Sequence, residues 1–210
     1  MEIIPGILEQ DFEEIRKKIE IVLPFVNSIH IDLLDGKFAA NTTFLDPSAF
    51  KEYTKKAVFE LHMMTDEPIN YLQSFADAGF RRFLGHVEKM SNQEEFVAQG
   101  QLLGEVGLAL DGPTGLDAIT VPYDDLDVVH FYISDRIGFA GPPMMPERLE
   151  RIKAFRKANV FLPVEVDGGV KDTTIKLAKE AGATRFVATS FISGAQSPQQ
   201  AYKTLQEAVK

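Results

Sequence analysis

A chain of 210 residues with 45% apolar and 25% charged side chains can bury a sizeable core in one compact unit, and this composition excludes disordered, collagen-like and membrane classes. A net charge of −9 argues against a nucleic-acid or anionic-membrane surface, because counterion release needs clustered Lys and Arg. The lack of cysteine excludes a disulfide scaffold and any thiolate metal site, which leaves His and carboxylate to hold a metal.

Short β-branched runs alternate with amphipathic stretches along the whole sequence. Strands are expected over 2–4, 28–33, 57–62, 82–86, 104–110, 128–133, 162–166 and 186–188. Helices are expected over 11–22, 46–55, 68–78, 92–103, 146–158, 172–181 and 198–209, several opened by a Ser, Asp or Pro start signal, with a weak one around 116–120. Eight βα units in residues 1–210 predict one domain, an α/β fold of the single (β/α)8 TIM-barrel type. Such barrels typically take ~250 residues, so the loops must be short. A doubly wound open sheet is the structural alternative. No apolar run approaches the ~20 residues needed to span a bilayer, and residues 1–5 lack a basic segment followed by an apolar core; a cytoplasmic protein is expected.

Period-2 alternation in the second strand puts Ile29, Ile31 and Leu33 on one face and His30, Asp32 and Leu34 on the other. In the third strand Val58, Glu60, His62 and Met64 share the equivalent face. A His in an apolar run is usually a core residue. Two adjacent strands that deliver His and Asp to one rim instead form a set suited to Zn²⁺, Fe²⁺, Mn²⁺ or Co²⁺. Glu60 and Glu165 are expected deeper inside, orienting the histidines. Asp167 ends the seventh strand and can face Asp32, and Gly168-Gly169 behind it permits a close backbone approach and offers N–H groups to an oxyanion. The segment 134–143, with Gly138 and Gly141, has the length and glycine content of a cover over the site. His86 closes the fourth strand as either a rim or a packing residue, and His130 is read as structural. There is no Gly-x-Gly-x-x-Gly fingerprint, P-loop or Gly-x-Ser-x-Gly elbow.

Together, His30-Ile31-Asp32-Leu33-Leu34-Asp35-Gly36-Lys37-Phe38 with Asn41, Leu61-His62-Met63-Met64, Gly138-Phe139-Ala140-Gly141 and Val166-Asp167-Gly168-Gly169-Val170 resemble the ribulose-phosphate 3-epimerase family, in order and in spacing. The resemblance covers essentially the whole chain. It implies that His30, Asp32, His62 and Asp167 bind one divalent metal, Zn²⁺ first among the candidates, and that Asp32 and Asp167 are the catalytic base and acid. It further implies a sugar-phosphate substrate contacted by Gly6, His62, Met64, Gly138, Phe139, Ala140, Gly141, Gly168, Gly169, Thr189 and Ser190, and a homo-oligomer. The family usually has Ser at the position of Gly6, Met at those of Leu34 and Ile133, Asn-Pro at Arg136-Ile137, Gly at Ala140 and Gly-Ser at Thr189-Ser190.

The reaction this implies is abstraction of a proton from the carbon next to a ketose carbonyl, then reprotonation on the opposite face. A metal-dependent sugar-phosphate aldolase or decarboxylase on the same barrel is one alternative. A barrel that binds a metabolite without turnover is the other.

Overall fold

The computed structural model describes residues 1–158 and 161–210. Its strands are β1 (Glu2–Ile7), β2 (Ser28–Leu34), β3 (Val58–Met64), β4 (Arg82–His86), β5 (Glu105–Leu110), β6 (Val128–Tyr132), β7 (Val164–Asp167) and β8 (Arg185–Ala188). All pair in parallel and in sequence order, and β8 returns to β1 to close the barrel. The helices are α1 (Phe12–Val22), α2 (Ile69–Asp77), α3 (Gln93–Leu103), α4 (Leu149–Ala158), α5 (Ile175–Ala181), α6 (Ser190–Ser193) and α7 (Pro198–Ala208). The closed parallel barrel with its outer helices is the expected (β/α)8 architecture.

Alternation along each strand divides the core in two. Ile29, Ile31 and Leu33 of β2, Phe59, Leu61 and Met63 of β3, and Val129 and Phe131 of β6 turn outward into one continuous apolar layer beneath the helices. Helix α1 meets that layer with Ile15, Ile19 and Val22, one face of a helical repeat, and Asp11 caps it by accepting from the Glu13 and Glu14 N–H groups. Asn92 caps α3 through the Glu95 N–H, and Ser197 caps α7 through that of Gln200, with Pro198 in the first turn.

Two expected helices are single 3₁₀ turns instead. In 46–55, Asp46 caps the Ser48 N–H and Pro47 starts a turn that stops at Phe50. Phe50 is buried among Phe12, Phe59, Phe75 and Phe80, while Lys51, Glu52, Lys55 and Lys56 are exposed, so no apolar stripe continues the helix. The weak segment 116–120 likewise makes only the turn Leu116–Ala118. Strand β1 runs beyond its expected end at residue 4, through Pro5. Residues 2–5 register with β8, and Gly6 and Ile7 register with β2, so the missing Pro5 N–H falls where the pairing changes partner. Among the described residues no helix is long and apolar enough to cross a membrane.

Candidate active site

Among the inward-facing residues of the strands, a series of ionisable side chains runs from floor to rim. At the N-terminal end Arg82 meets Glu2 at 3.0 Å and Glu105 at 3.3 Å, and Arg185 meets the same two carboxylates at 3.6 and 2.8 Å. Above this ring the β2–β3 register sets His30 beside Glu60, Asp32 beside His62 and Leu34 beside Met64. Strand β7 adds Glu165 and Asp167, β6 adds His130 and Tyr132, and β4 adds His86. All four histidines of the chain are buried here, with the His62 ring 5.1, 5.0 and 4.3 Å from those of His30, His86 and His130.

Each buried imidazole has a defined partner. His30 Nδ1 lies 2.6 Å from Glu60 Oε1, and His130 Nδ1 lies 2.9 Å from Glu165 Oε1, so each glutamate holds the histidine ring paired with it on the neighbouring strand. His62 Nε2 is 2.9 Å from His86 Nε2. The opposite nitrogens of His30 and His62 converge on one atom, Asp32 Oδ1, at 3.2 and 2.9 Å, and His62 Nδ1 is also 3.9 Å from Asp167 Oδ2. One ligand atom from each of His30, Asp32, His62 and Asp167 lies within 4.8 Å of all the others. Two ring nitrogens turned on a shared carboxylate, with their far sides already engaged, are what a divalent cation needs, and the donor set fits the group that the sequence implies.

The two aspartates titrate in opposite directions. Burial works against the charge of Asp32, but the His30 charge and the hydrogen bond from His30 outweigh it and hold this carboxyl well below its usual range. Asp167 is pushed up to about 6 by burial and by the neighbouring Asp32 charge. Burial pushes His62 well below the ordinary imidazole range, with the nearby His130 adding to the effect. Burial also opposes a charge on His30, yet Asp32 and Glu60 together raise it.

A cavity opens above Asp32 and Asp167 at the C-terminal ends of the strands, the end at which barrel enzymes carry their chemistry. Met64, Gly138, Phe139, Ala140, Gly141, Gly168, Gly169, Thr189 and Ser190 line it. Gly6 and His62 do not. A Cβ at Gly6 would collide with Thr189 Oγ1, so the Thr189 side chain lies over this glycine, and His62 is fully buried beside Asp32.

Of the glycine pair, Gly168 already has a partner for its N–H. The Gly168 N–H donates to Asp167 Oδ1 at 2.7 Å and so orients that carboxyl instead of standing free for an oxyanion. With φ of 103° and 73°, both glycines occupy left-handed backbone where side chains would strike Ser134 and Met144 of the β6 loop. That loop is fastened by Tyr132 Oη donating to the Arg136 carbonyl at 2.8 Å, and by Asn41 Nδ2 donating to the Gly138 carbonyl at 2.7 Å.

Tyr132, Leu8, Pro142, Val170 and Val187 also line the cavity, and residue patterns missed them. For Tyr132 the signal existed, since it lies two residues beyond His130 on the same inward face. The apolar four carry no chemical signature.

A cluster of four side chains that could hold a metal ion, with two carboxylates in unlike environments, at the C-terminal rim of a parallel barrel is the arrangement of an enzyme of the (β/α)8 class. The family model described as "Ribulose-phosphate 3 epimerase family" matches residues 2–193. The chain is 34% identical to the ribulose-phosphate 3-epimerase of Schizosaccharomyces pombe, with 99% of this chain and 93% of that protein covered. It is 30% identical to the cytoplasmic isoform of ribulose-phosphate 3-epimerase from Oryza sativa subsp. japonica, with 99% and 94% covered. This chain belongs to the ribulose-phosphate 3-epimerase family, and it is an enzyme of the carbohydrate-epimerase class.

Among solved structures it is similar in fold to 3-hexulose-6-phosphate synthase from Salmonella typhimurium, with a TM-score of 0.74, 16% identity, and 100% of this chain and 98% of that one covered. It is also similar to 3-keto-L-gulonate-6-phosphate decarboxylase from Vibrio cholerae, with a TM-score of 0.71, 15% identity, and 100% and 96% covered.

Proposed function

We propose that this enzyme inverts the carbon next to the carbonyl of a ketose phosphate, interconverting D-ribulose 5-phosphate and D-xylulose 5-phosphate, with Asp32 and Asp167 exchanging protons with opposite faces of the substrate. The observation that carries this reading is the opposite displacement of two carboxylates within one buried cluster below the cavity, Asp32 held down and Asp167 pushed up to about 6. Asp32, ionised, removes the proton. Asp167, whose pKa near 6 lies close to working pH, returns one on the other face, and the roles exchange in the reverse direction. Gly168 keeps Asp167 aimed at the substrate. Such a carbon acid is far too weak for an unaided carboxylate. The divalent cation that His30, Asp32, His62 and Asp167 would hold supplies, when bound, the positive charge that stabilises the oxygen on which negative charge develops.

Zn²⁺ suits this donor set first, and Fe²⁺, Mn²⁺ and Co²⁺ are compatible with it. Met64 and Tyr132 form the wall beside the reacting carbon, while Phe139, Ala140 and Gly138 cover it. Gly141, Gly169, Thr189 and Ser190 at the mouth receive the phosphate, and Gly6 makes room for Thr189. The reading extends to one barrel domain over residues 1–210, a homo-oligomer, and the cytoplasm as its place of work.

The reaction and its class are tested together by incubating the metal-loaded enzyme with D-ribulose 5-phosphate in D2O. The expected product is D-xylulose 5-phosphate, still of five carbons, with one deuterium at the inverted centre. Carbon–carbon cleavage would overturn the reading in favour of a lyase. Asp32→Asn and Asp167→Asn are each expected to slow epimerisation by about 10²–10⁴-fold, and a native rate in either would remove the assignment.

A further inference from the structure

We infer that Glu88 and His86 act as a linked positioning pair for His62, fixing which of its two ring nitrogens faces the cation cluster as an unprotonated donor. This rests on the reading of His30, Asp32, His62 and Asp167 as a metal centre. His86 is buried at the end of β4, and Glu88 comes next in the turn Val87–Lys89. His86 Nδ1 lies 2.9 Å from Glu88 Oε2, and an ionised carboxylate only accepts, so Nδ1 carries the hydrogen. A neutral imidazole has one hydrogen, which leaves a lone pair on His86 Nε2. His62 Nε2, 2.9 Å away, must then donate to it. The lone pair of His62 is thereby placed on Nδ1, the atom 2.9 Å from Asp32 Oδ1 and 3.9 Å from Asp167 Oδ2.

The outer end of this hydrogen-bonded series is itself fixed. Glu88 Oε1 accepts the Asp111 backbone N–H at 2.7 Å, which anchors the carboxylate to the end of β5. The Phe38 ring packs 4.8 Å from that of His86. His30 obtains the same service in one step, from Glu60 at 2.6 Å. Both histidines of the cluster are thus oriented by a carboxylate, one directly and the other through an intervening imidazole. Outer partners of this kind set the tautomer and basicity of a ligand histidine.

The test is a Co²⁺ titration of the metal-free full-length protein, read by visible absorption, alongside thermal melts. Uptake by the wild-type chain tests the metal centre itself: a wild type that takes up no Co²⁺ would overturn that reading, and the positioning pair with it. With uptake established, His86→Leu is expected to weaken Co²⁺ binding by about 10–100-fold. His86→Gln, which returns an amide oxygen to the place of Nε2, should recover most of the loss, with the wild-type absorption bands restored. Glu88→Ala should weaken binding in the same direction as His86→Leu. If wild type binds Co²⁺ and His86→Leu binds it equally well, or if Gln is no better than Leu while both melt at the same temperature, the positioning role is wrong and the metal centre stands.

Discussion

At Asp167 the proposed catalytic role and stability pull in opposite directions. Its carboxyl is pushed up from an ordinary 3.8 to about 6 by burial and by the Asp32 charge, so the folded chain holds this proton more tightly than the unfolded one. The contribution to stability is complete below about pH 4 and is lost as pH rises through about 6. In metal-free protein Asp167→Asn is expected to stabilise the fold by about 2–3 kcal/mol at pH 8 and to change it little at pH 4, at ~1.4 kcal/mol per pH unit. Urea unfolding at the two pH values checks this, and equal effects at both would contradict it. A second residue-scale prediction concerns Gly6, whose missing side chain leaves the space that Thr189 Oγ1 fills. Gly6→Ala should destabilise by about 1–3 kcal/mol, as overpacking does, and Thr189→Gly in the same chain should restore most of it. Additive effects in that double-mutant cycle would show that the two sites do not interlock. Single residues were unevenly legible in the sequence. His30, Asp32, His62 and Asp167 announce themselves because ionisable side chains on inward strand positions need a reason. Glu88 does not, because only the folded chain brings its carboxylate up to the far side of His86.

Elements were read best where one periodicity governs a whole segment. β2 and β3 alternate strictly, and each residue faces the side that its parity dictates. The segment 46–55 was misread because Asp46-Pro47 is a true helix start, whereas residues 48–55, with one buried Phe50 amid exposed lysines, cannot sustain an amphipathic helix. Pro5 made β1 look shorter than it is, since nothing local reveals that the proline stands where the strand exchanges one neighbour for another. The loop after β6 is the element with the most to say about turnover, because it covers the cavity and is tied to the β2 loop by Asn41 through the Gly138 carbonyl. Loss of that hydrogen bond, worth about 1 kcal/mol, should raise the open population of the loop about fivefold. In Asn41→Ala the cleavage of 134–143 by a dilute protease is therefore expected to speed up about fivefold with little change in global stability. An unchanged cleavage rate would mean that the loop is held from elsewhere.

On the scale of the whole molecule a column of ionisable side chains runs through the interior of this barrel. An Arg–Glu ring closes the floor, the paired glutamates Glu60 and Glu165 stand above it, and the histidines and the two aspartates complete the rim. The outer apolar layer lets the fold tolerate that column, since the outward faces of the strands supply the continuous hydrophobic core beneath the helices. His30, Asp32, His62 and Asp167 come from β2, β3 and β7, and they meet only when the barrel closes. An ion held there binds the folded chain alone and stabilises it, by about 2.7 kcal/mol at a free concentration one hundred times Kd. Calorimetric titration of the chelator-stripped chain with Zn²⁺ tests this convergence most directly. One ion per chain is expected, with affinity reduced by more than about tenfold in His62→Ala. A chain that takes up no zinc, or a His62→Ala variant that binds it as tightly as the wild type, would contradict the account.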